Sequence, residues 1–270
     1  MRILASIITY HPDLQRLLDN LHSVRDQVDD VVIFDNGSTN LREICPGVII
    51  LNQDGTNIGV ASALNHLCQY ARDNNFDWIL TLDQDSIVPP GLINGYLPYM
   101  TEESIALISP AIRDRNYGSM SYDMGTRDSV DDIDVCITSG SCLRLSALAK
   151  IGGFWDDLFI DMVDFDLCWS LKEAGFRILR VNNLLLSHEI GHSRIVRLFG
   201  KENIVYNHPA SRCYYMIRNT IAVGKKHNRI IQCARWVLKR VILINLFEDD
   251  RLHKDKMIIK GIIDGIRFPI

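Results

Sequence analysis

The chain has no Cys-x-x-Cys spacing, and its seven cysteines, Cys45, Cys68, Cys136, Cys142, Cys168, Cys213 and Cys233, form an odd set. Several fall inside apolar periodic stretches, as Cys168 does in "DLCWSL". That pattern implies reduced, mostly buried thiols in a cytoplasmic protein rather than a secreted disulfide framework. No segment approaches the ~18 consecutive apolar residues that span a bilayer, so no membrane-crossing helix is expected. A secretory leader is not expected either. "MRILASIITYHPD" carries one positive charge, and its apolar run ends at Tyr10-His11-Pro12, which reads as a first strand. Positive charge is not in excess: 29 Lys and Arg stand against 33 Asp and Glu, for a net charge of -4. No global basic field exists to recruit nucleic acid. No G-x-G-x-x-G follows the first strand and no G-x-x-x-x-G-K-[ST] occurs, which argues against a dinucleotide-binding or P-loop enzyme. There is no internal repeat and no low-complexity tract.

What is present is an ordinary globular composition, 47% hydrophobic and 23% charged over 270 residues, enough for one sizeable core with a small appendage. Charge is uneven. Acids concentrate between Asp114 and Asp166, whereas Arg194 to Lys260 is rich in Lys and Arg, which suggests an anionic partner for the C-terminal part. The first half alternates strand and helix patterns. "ILASIITY", "DDVVIFD", "GVIILNQ" and "FDWILTLD" read as strands. "PDLQRLLDNLHSV", with Pro12 in its first turn, and "NIGVASALNHLCQYARD", opened by Asn57 and Gly59, read as helices. Strands apolar enough to be covered on both faces predict a parallel sheet with right-handed crossovers. Further on, "SIALISP" and "DVCITSG" read as strands around a polar loop from Arg113 to Asp132. "LSALAKIGGF" and "DFDLCWSLKEAGF" read as helices, and "RILRVNNLLLSHEIG" as extended chain. From about Tyr206 the chain reads as helical, basic and apolar.

In an open parallel sheet, ligands sit at the carboxyl ends of the strands. Four such ends carry polar residues: Thr9-Tyr10-His11, Asp35-Asn36-Gly37-Ser38, Asn57-Ile58-Gly59 and Asp83-Gln84-Asp85. Asp35 is placed to accept from a ribose hydroxyl or a base N–H, although Asp-Asn-Gly is also turn chemistry in its own right. Asp83 and Asp85 lie two apart, on one side of an extended chain, where two carboxylates repel unless a cation joins them. A solvated turn is the alternative. Asp164 and Asp166 fall in the first turn of a helix, where the dipole favours an anion. Asp164, beside Met162, Val163 and Phe165, is also a candidate for a partly desolvated general base. His188 is either an ordinary strand-end residue or an imidazole ligand beside an Asp-x-Asp cation, a set that suits Mn²⁺ better than Mg²⁺. Basic residues interleave with apolar ones from Arg212 to Arg240. They fit core helices with solvated basic faces, or a helix on an anionic membrane surface or against a lipid diphosphate.

In order along the chain, "TYHPD", "VVIFDNGS", "NIGVASALNHL", "WILTLDQDS", "TSGSCLRLSAL", "GGFWDDLFIDMVDFDLCWSLKEAGF", "HEIGH" and "YYMIRN" resemble the family 2 glycosyltransferases, most of all their bacterial rhamnosyltransferase group. The resemblance spans roughly residues 3 to 220. It implies the α/β GT-A fold, a Rossmann-like, mostly parallel sheet flanked by helices, with a catalytic domain over 1–205 and a basic, apolar helical region over 206–270 near acceptor or membrane. It implies that Thr9 and Asp35 hold the nucleoside and that Asn57 and Gly59 lie near ribose and diphosphate. Asp83 would touch the nucleotide or its metal, with Ser139, Gly140 and Arg218 also in substrate binding. Asp85 would bind Mn²⁺ or Mg²⁺, and His188 would approach the metal or the diphosphate. Asp164 would be the general base, its usual acidic predecessor being Val163 here, with Asp161 as fallback.

The implied reaction is inverting transfer of a sugar, best matched by L-rhamnose from dTDP-L-rhamnose, to a lipid-linked or cell-surface polysaccharide at the inner membrane face. A peripheral membrane contact is expected, and a homodimer stays open. A UDP-sugar donor (galactofuranose, glucose or N-acetylhexosamine) is the nearest alternative. "LTLDQDSI" also looks like the nucleophile motif of haloacid-dehalogenase phosphatases, although that motif follows the first strand and here three strands precede it. A pyrophosphorylase would need a glycine-rich loop where "TYHPD" stands. A non-catalytic subunit would have no need of Asp83, Asp85, Asp164 and His188.

Overall fold

The computed structural model describes residues 1–38, 41–52, 55–114, 118–119, 129–188, 194–198 and 200–270. The chain forms two compact units, one of residues 1–156 and 167–189, the other of 157–166 and 190–270.

The first unit begins with β1 (Ile3–Thr9), α1 (Leu14–Val24), β2 (Asp30–Asp35), α2 (Leu41–Ile44), β3 (Ile49–Leu51), α3 (Val60–Asp73) and β4 (Trp78–Asp83). These alternate as the apolar pattern predicts. Asp13, not Pro12, starts α1: its carboxylate accepts from the Arg16 N–H at 3.1 Å, and Pro12 lies one residue outside the cap. Leu17, Leu21 and Val24, spaced four and three apart, turn one side of α1 inward. After β4 come α4 (Leu92–Met100), β5 (Ile105–Asp114), β6 (Gly118–Ser119), β7 (Val130–Asp132), β8 (Ser141–Arg144) and α5 (Leu145–Ile151). The helix α6 (Val163–Glu173) and the strand β9 (Arg177–His188) follow.

The sheet runs β3-β2-β1-β4-β8-β5-β9-β7, with β6 on β5. The first four strands and the β5–β9 pair are parallel. The sheet is mostly parallel, as expected, with β8 antiparallel between β4 and β5 and β7 antiparallel to β9. A correction concerns "DVCITSG". Asp134–Gly140 is irregular chain, and the strand starts only at Ser141. There the Ile137 and Thr138 carbonyls accept from the hydroxyls of Ser141 and Thr81, both at 2.6 Å, instead of from the backbone N–H groups of a neighbouring strand. Ile7, Ile33, Trp78 and Leu80 are among the fully enclosed side chains of the core, which explains why β1, β2 and β4 read as continuous apolar runs.

The second unit holds a hairpin, β10 (Arg194–Leu198) with β11 (Lys201–Val205), then α7 (Ala210–Lys226), α8 (Ile230–Phe247) and α9 (Arg251–Arg267). The expected boundary after residue 205 falls inside this unit. Its core is Cys213, Ile217, Ile221, Ile244 and Ile258. The α7–α9 pair is close because α9 presents Gly261 and Gly265. A Cβ at either would stand 2.8 Å from a backbone carbonyl of α7, of Tyr214 and Arg218 respectively. Among the described residues no helix is long and apolar enough to cross a membrane.

Candidate functional site

Register puts three of the expected residues on one edge of the sheet. Thr9 pairs with Asp35 across β1–β2, and Ile8 with Asp83 across β1–β4, so the carboxyl ends of three parallel strands stop level. Asp35 is 1% exposed. Its Oδ1 accepts from the Ser38 N–H at 2.9 Å and the Thr9 hydroxyl at 3.3 Å, while its Oδ2 is buried with no hydrogen-bond partner. An unsatisfied buried acceptor costs about 1–3 kcal/mol, more when charged, so this oxygen is able to accept from an arriving donor, water or ligand. One oxygen of Asp35 thus builds the turn that its sequence context allowed.

The Asn57–Gly59 turn is fixed to the same edge. Buried Asn36, which sequence reasoning passed over, accepts from the Ile58 N–H at 2.8 Å and donates to the Gly59 carbonyl at 3.2 Å. The Asn57 side chain accepts from the Gly59 N–H at 2.9 Å. Gly59, at φ +88°, starts α3, a left-handed conformation that suits glycine. Backbone N–H groups at a helix start favour an anion beside them.

Asp83 ends β4, and Asp85 lies in the turn that follows, both half-buried. The backbone between them is anchored. Buried Asn20 donates to the Asp83 carbonyl at 2.7 Å, and the Asp83 N–H donates to the Ser139 hydroxyl at 3.1 Å. Ser139 also meets the Ser86 hydroxyl at 2.6 Å. Gly140 donates to the Thr81 carbonyl at 2.8 Å, and the Tyr96 hydroxyl donates to the Gly140 carbonyl at 2.9 Å. Ser139 and Gly140 therefore reach the strand edge that carries Asp83. Gly140 has φ +78°, and a Cβ there would meet Leu186 at 2.8 Å and Pro110 at 2.9 Å. His188 ends β9, paired in register with Asp114, and its side chain lies outside the described residues, as does all of Glu189 to Ser193. Among the described residues no three His, Cys, Asp or Glu side chains gather into a metal cluster. Two carboxylates in one turn nonetheless fit a hard divalent cation whose other ligands come from phosphate and water.

The second unit carries the acidic helix start. Asp166 is 2% exposed and receives Lys226 Nζ at 2.7 Å and His227 Nε2 at 2.9 Å. Asp161 is paired with the Arg212 guanidinium at 3.2 and 3.3 Å. Asp164, the second residue of α6, is half-buried. The segment before it is contorted: Phe159, Asp161 and Met162 have φ of +62°, +64° and +64°. Three such residues together cost of order 1–3 kcal/mol each and persist only where surroundings hold them. The holder is Asn219 of α7, fully buried, whose amide donates to the carbonyls of Leu158 (2.7 Å), Ile160 (2.6 Å) and Asp161 (3.1 Å). Arg218 adds hydrogen bonds to the Asp157 and Leu158 carbonyls at 2.6 and 3.2 Å. Its guanidinium also lies over the rings of Tyr215 and Phe268. "YYMIRN" thus contributes a brace for the acidic loop, a role no local pattern announces.

The family model for glycosyl transferase family 2 matches residues 6–198. The chain is 27% identical over 286 residues to the dTDP-rhamnosyl transferase RfbF of Shigella flexneri, covering 98% of this chain and 95% of that one. It is 28% identical over 232 residues to the N-acetylglucosaminyl-diphospho-decaprenol L-rhamnosyltransferase of Mycobacterium tuberculosis, covering 69% and 75%. Among solved structures, S. aureus TarS 1–349 in complex with UDP-GlcNAc superposes with a TM-score of 0.64 at 13% identity, over 99% of this chain and 81% of that one. GalNAc-T7 with UDP, GalNAc and Mn²⁺ gives 0.61 at 13% identity, over 83% and 48%.

Proposed function

The chain belongs to glycosyl transferase family 2 and has the GT-A fold, and from that premise we propose that it transfers L-rhamnose from dTDP-L-rhamnose to a hydroxyl of a lipid-linked or cell-surface polysaccharide. The observation that carries a nucleotide-sugar reading is the level strand edge with the buried, unmatched Oδ2 of Asp35. The names of two relatives favour rhamnose. In this reading residues 1–205 are the catalytic domain and 206–270 lie near acceptor and membrane.

Thr9 and Asp35 hold the nucleoside, with Asp35 Oδ2 accepting a base N–H or ribose hydroxyl. Asn57 and Gly59 face ribose and diphosphate. Asp83 and Asp85, with His188, would hold Mn²⁺ or Mg²⁺, which when bound would offset charge on the departing diphosphate. Ser139 and Gly140 line the donor-sugar side, and Arg218 serves by fixing the acidic loop. Asp164 takes the acceptor hydroxyl proton as the acceptor oxygen bonds to C1 and the C1–phosphate oxygen bond breaks on the opposite face. That displacement inverts the anomeric centre without a covalent enzyme intermediate. Asp164 stands in the first turn of α6, half-buried beside Met162, Val163 and Phe165, the setting of a partly desolvated base.

A thermal-shift panel of dTDP, dTDP-rhamnose, UDP and UDP-sugars, each with Mn²⁺, Mg²⁺ or EDTA, tests this, since a ligand of the native state raises the midpoint by mass action. A metal-dependent shift with dTDP compounds alone is the expected result. Shifts with UDP compounds instead would keep the mechanism and discard rhamnose. No shift with any nucleotide would overturn the transferase reading.

A further inference from the structure

Resting on the reading that the acceptor is lipid-linked, we propose that the outward faces of α8 and α9 seat the protein on an anionic lipid surface. Of the 17 exposed large apolar side chains among the described residues, ten fall within Ile230–Ile270. On α8, Ile231, Leu238, Ile242 and Leu246 are 70%, 62%, 37% and 52% exposed, at spacings of seven, four and four. On α9, Leu252, Ile259 and Ile263 repeat the spacing of seven and four. These intervals place each set on one side of its helix. Neither set is needed for packing. Each helix already buries a different side, Cys233, Leu243 and Ile244 of α8 and Ile258, Gly261 and Gly265 of α9. One apolar side folds an amphipathic helix, so a second one facing water calls for a partner.

Charge selects that partner. α8 contains no acid, and exposed Arg235 and Lys239 sit among its outward apolar residues. On α9, Lys256, Lys260 and Arg267 are exposed, while Asp255 and Asp264 are engaged by Asn245 and Tyr214, each at 2.9 Å. Glu248 is buried between Arg240 and Lys254. The remaining acids, Asp249 and Asp250, lie in the turn between the helices, Asp249 accepting from Asn207 and Asp250 facing His253. A second copy docking face to face would set Arg235 and Lys239 against the same cations. A bilayer with anionic headgroups offers alkyl chains for the apolar residues and negative charge for the rim, and helices that lie in the interface have this composition.

The test is co-sedimentation of the full chain with vesicles of phosphatidylcholine alone or with about 30% phosphatidylglycerol, across a salt series. The expected result is at least about tenfold more binding to the anionic vesicles, falling as salt rises. Binding should be lost in Leu238→Glu/Ile259→Glu and reduced in Lys239→Glu/Lys256→Glu. All four positions are exposed, and an unchanged nucleotide-induced thermal shift shows that the variants fold. Equal binding to both vesicle types overturns the proposal. So does no vesicle binding alongside a concentration-dependent dimer, or capture of a partner protein, that Leu238→Glu abolishes. Vesicle binding without any nucleotide shift would sink the transferase reading and leave the lipid surface standing. A nucleotide shift without vesicle binding would do the reverse.

Discussion

The strand edge in the first unit and the acidic loop in the second place their side chains by opposite means. At the edge, strand register sets the positions: three parallel strands end level, and Asp35 and Asp83 stand where the backbone ladder puts them. In the loop no ladder exists. The segment with three left-handed residues is held by side chains, the Asn219 amide foremost with Arg218 beside it, reaching from a helix about sixty residues further along the chain. A substitution at the edge should therefore remove a ligand contact and spare the geometry. One in the brace should remove geometry and spare the donor contact.

The largest expected effect tests the reacting group in the second region. Asp164→Asn should lower turnover by about 10²–10⁴-fold, the usual share of a general base, while donor affinity stays within a few-fold. Steady-state rates with titration of the nucleotide sugar separate the two, and substantial residual turnover would move the base to Asp161. Next comes Asp35→Asn, which keeps shape but changes charge and acceptor. Loss of a hydrogen bond to a charged group, about 1.5–3 kcal/mol, should weaken nucleotide binding by about 10- to 150-fold with little change in the melting midpoint. Calorimetric titration reads it, and equal weakening for every nucleotide and for free phosphate would count against a nucleoside contact.

Asn219→Ala sharpens the contrast from the other side. The carbonyls of Ile160 and Asp161 lose the Asn219 donor, and that of Leu158 one donor of several, so unfolding free energy should fall by about 1–3 kcal/mol in denaturant titration. Turnover should fall too, with nucleotide affinity unmoved. Loss of nucleotide affinity in this variant would erase the distinction between the two regions.

The effect that vanishes at neutral pH is a pH dependence arising in the second unit. Burial, then Arg212, Arg240 and Lys254, push His208 down to about 3 from its ordinary 6.5. Between those values the unfolded chain binds a proton that the folded chain refuses, so this histidine lowers stability as pH falls from 6.5 toward 3 and has no effect above. His208→Asn should flatten that limb of the stability curve, and an unchanged limb would refute the assignment.

Much of the first region was legible in the sequence because period and position suffice there. A strand buried on both faces reads as an apolar run, and the polar residues that end it must lie on the edge where parallel strands end. The Asp83–Asp85 pair, Asp35 and the Asn57–Gly59 turn were found in this way. What escaped depended on pairing across distance. The direction of β8 is set by its neighbours β4 and β5, and "DVCITSG" alternates like a strand yet gives its carbonyls to hydroxyl groups. The helix α4 was hidden by Gly95 and Pro98. A Cβ at residue 95 would stand 2.7 Å from Leu184, a contact no local pattern reveals. Asn36 and Asn20 look like ordinary polar residues until the carbonyls they hold are known. Asn219 is the extreme case, since its three acceptors lie about sixty positions upstream.

The reversed strand β8 has a consequence for which segments meet at the strand edge. A strand running with its neighbours would deliver its entering loop to the far side of the sheet, away from Asp83. Running against β4, it opens beside the end of that strand, so Ser139 and Gly140 arrive at the ligand edge from a segment that belongs to no βαβ crossover. The loop preceding β8 is tied to that edge, since Ser139 accepts from the Asp83 N–H and Gly140 donates to the Thr81 carbonyl. One inverted strand thus brings a second segment of the chain, foreign to every crossover, to the rim where the parallel strands end.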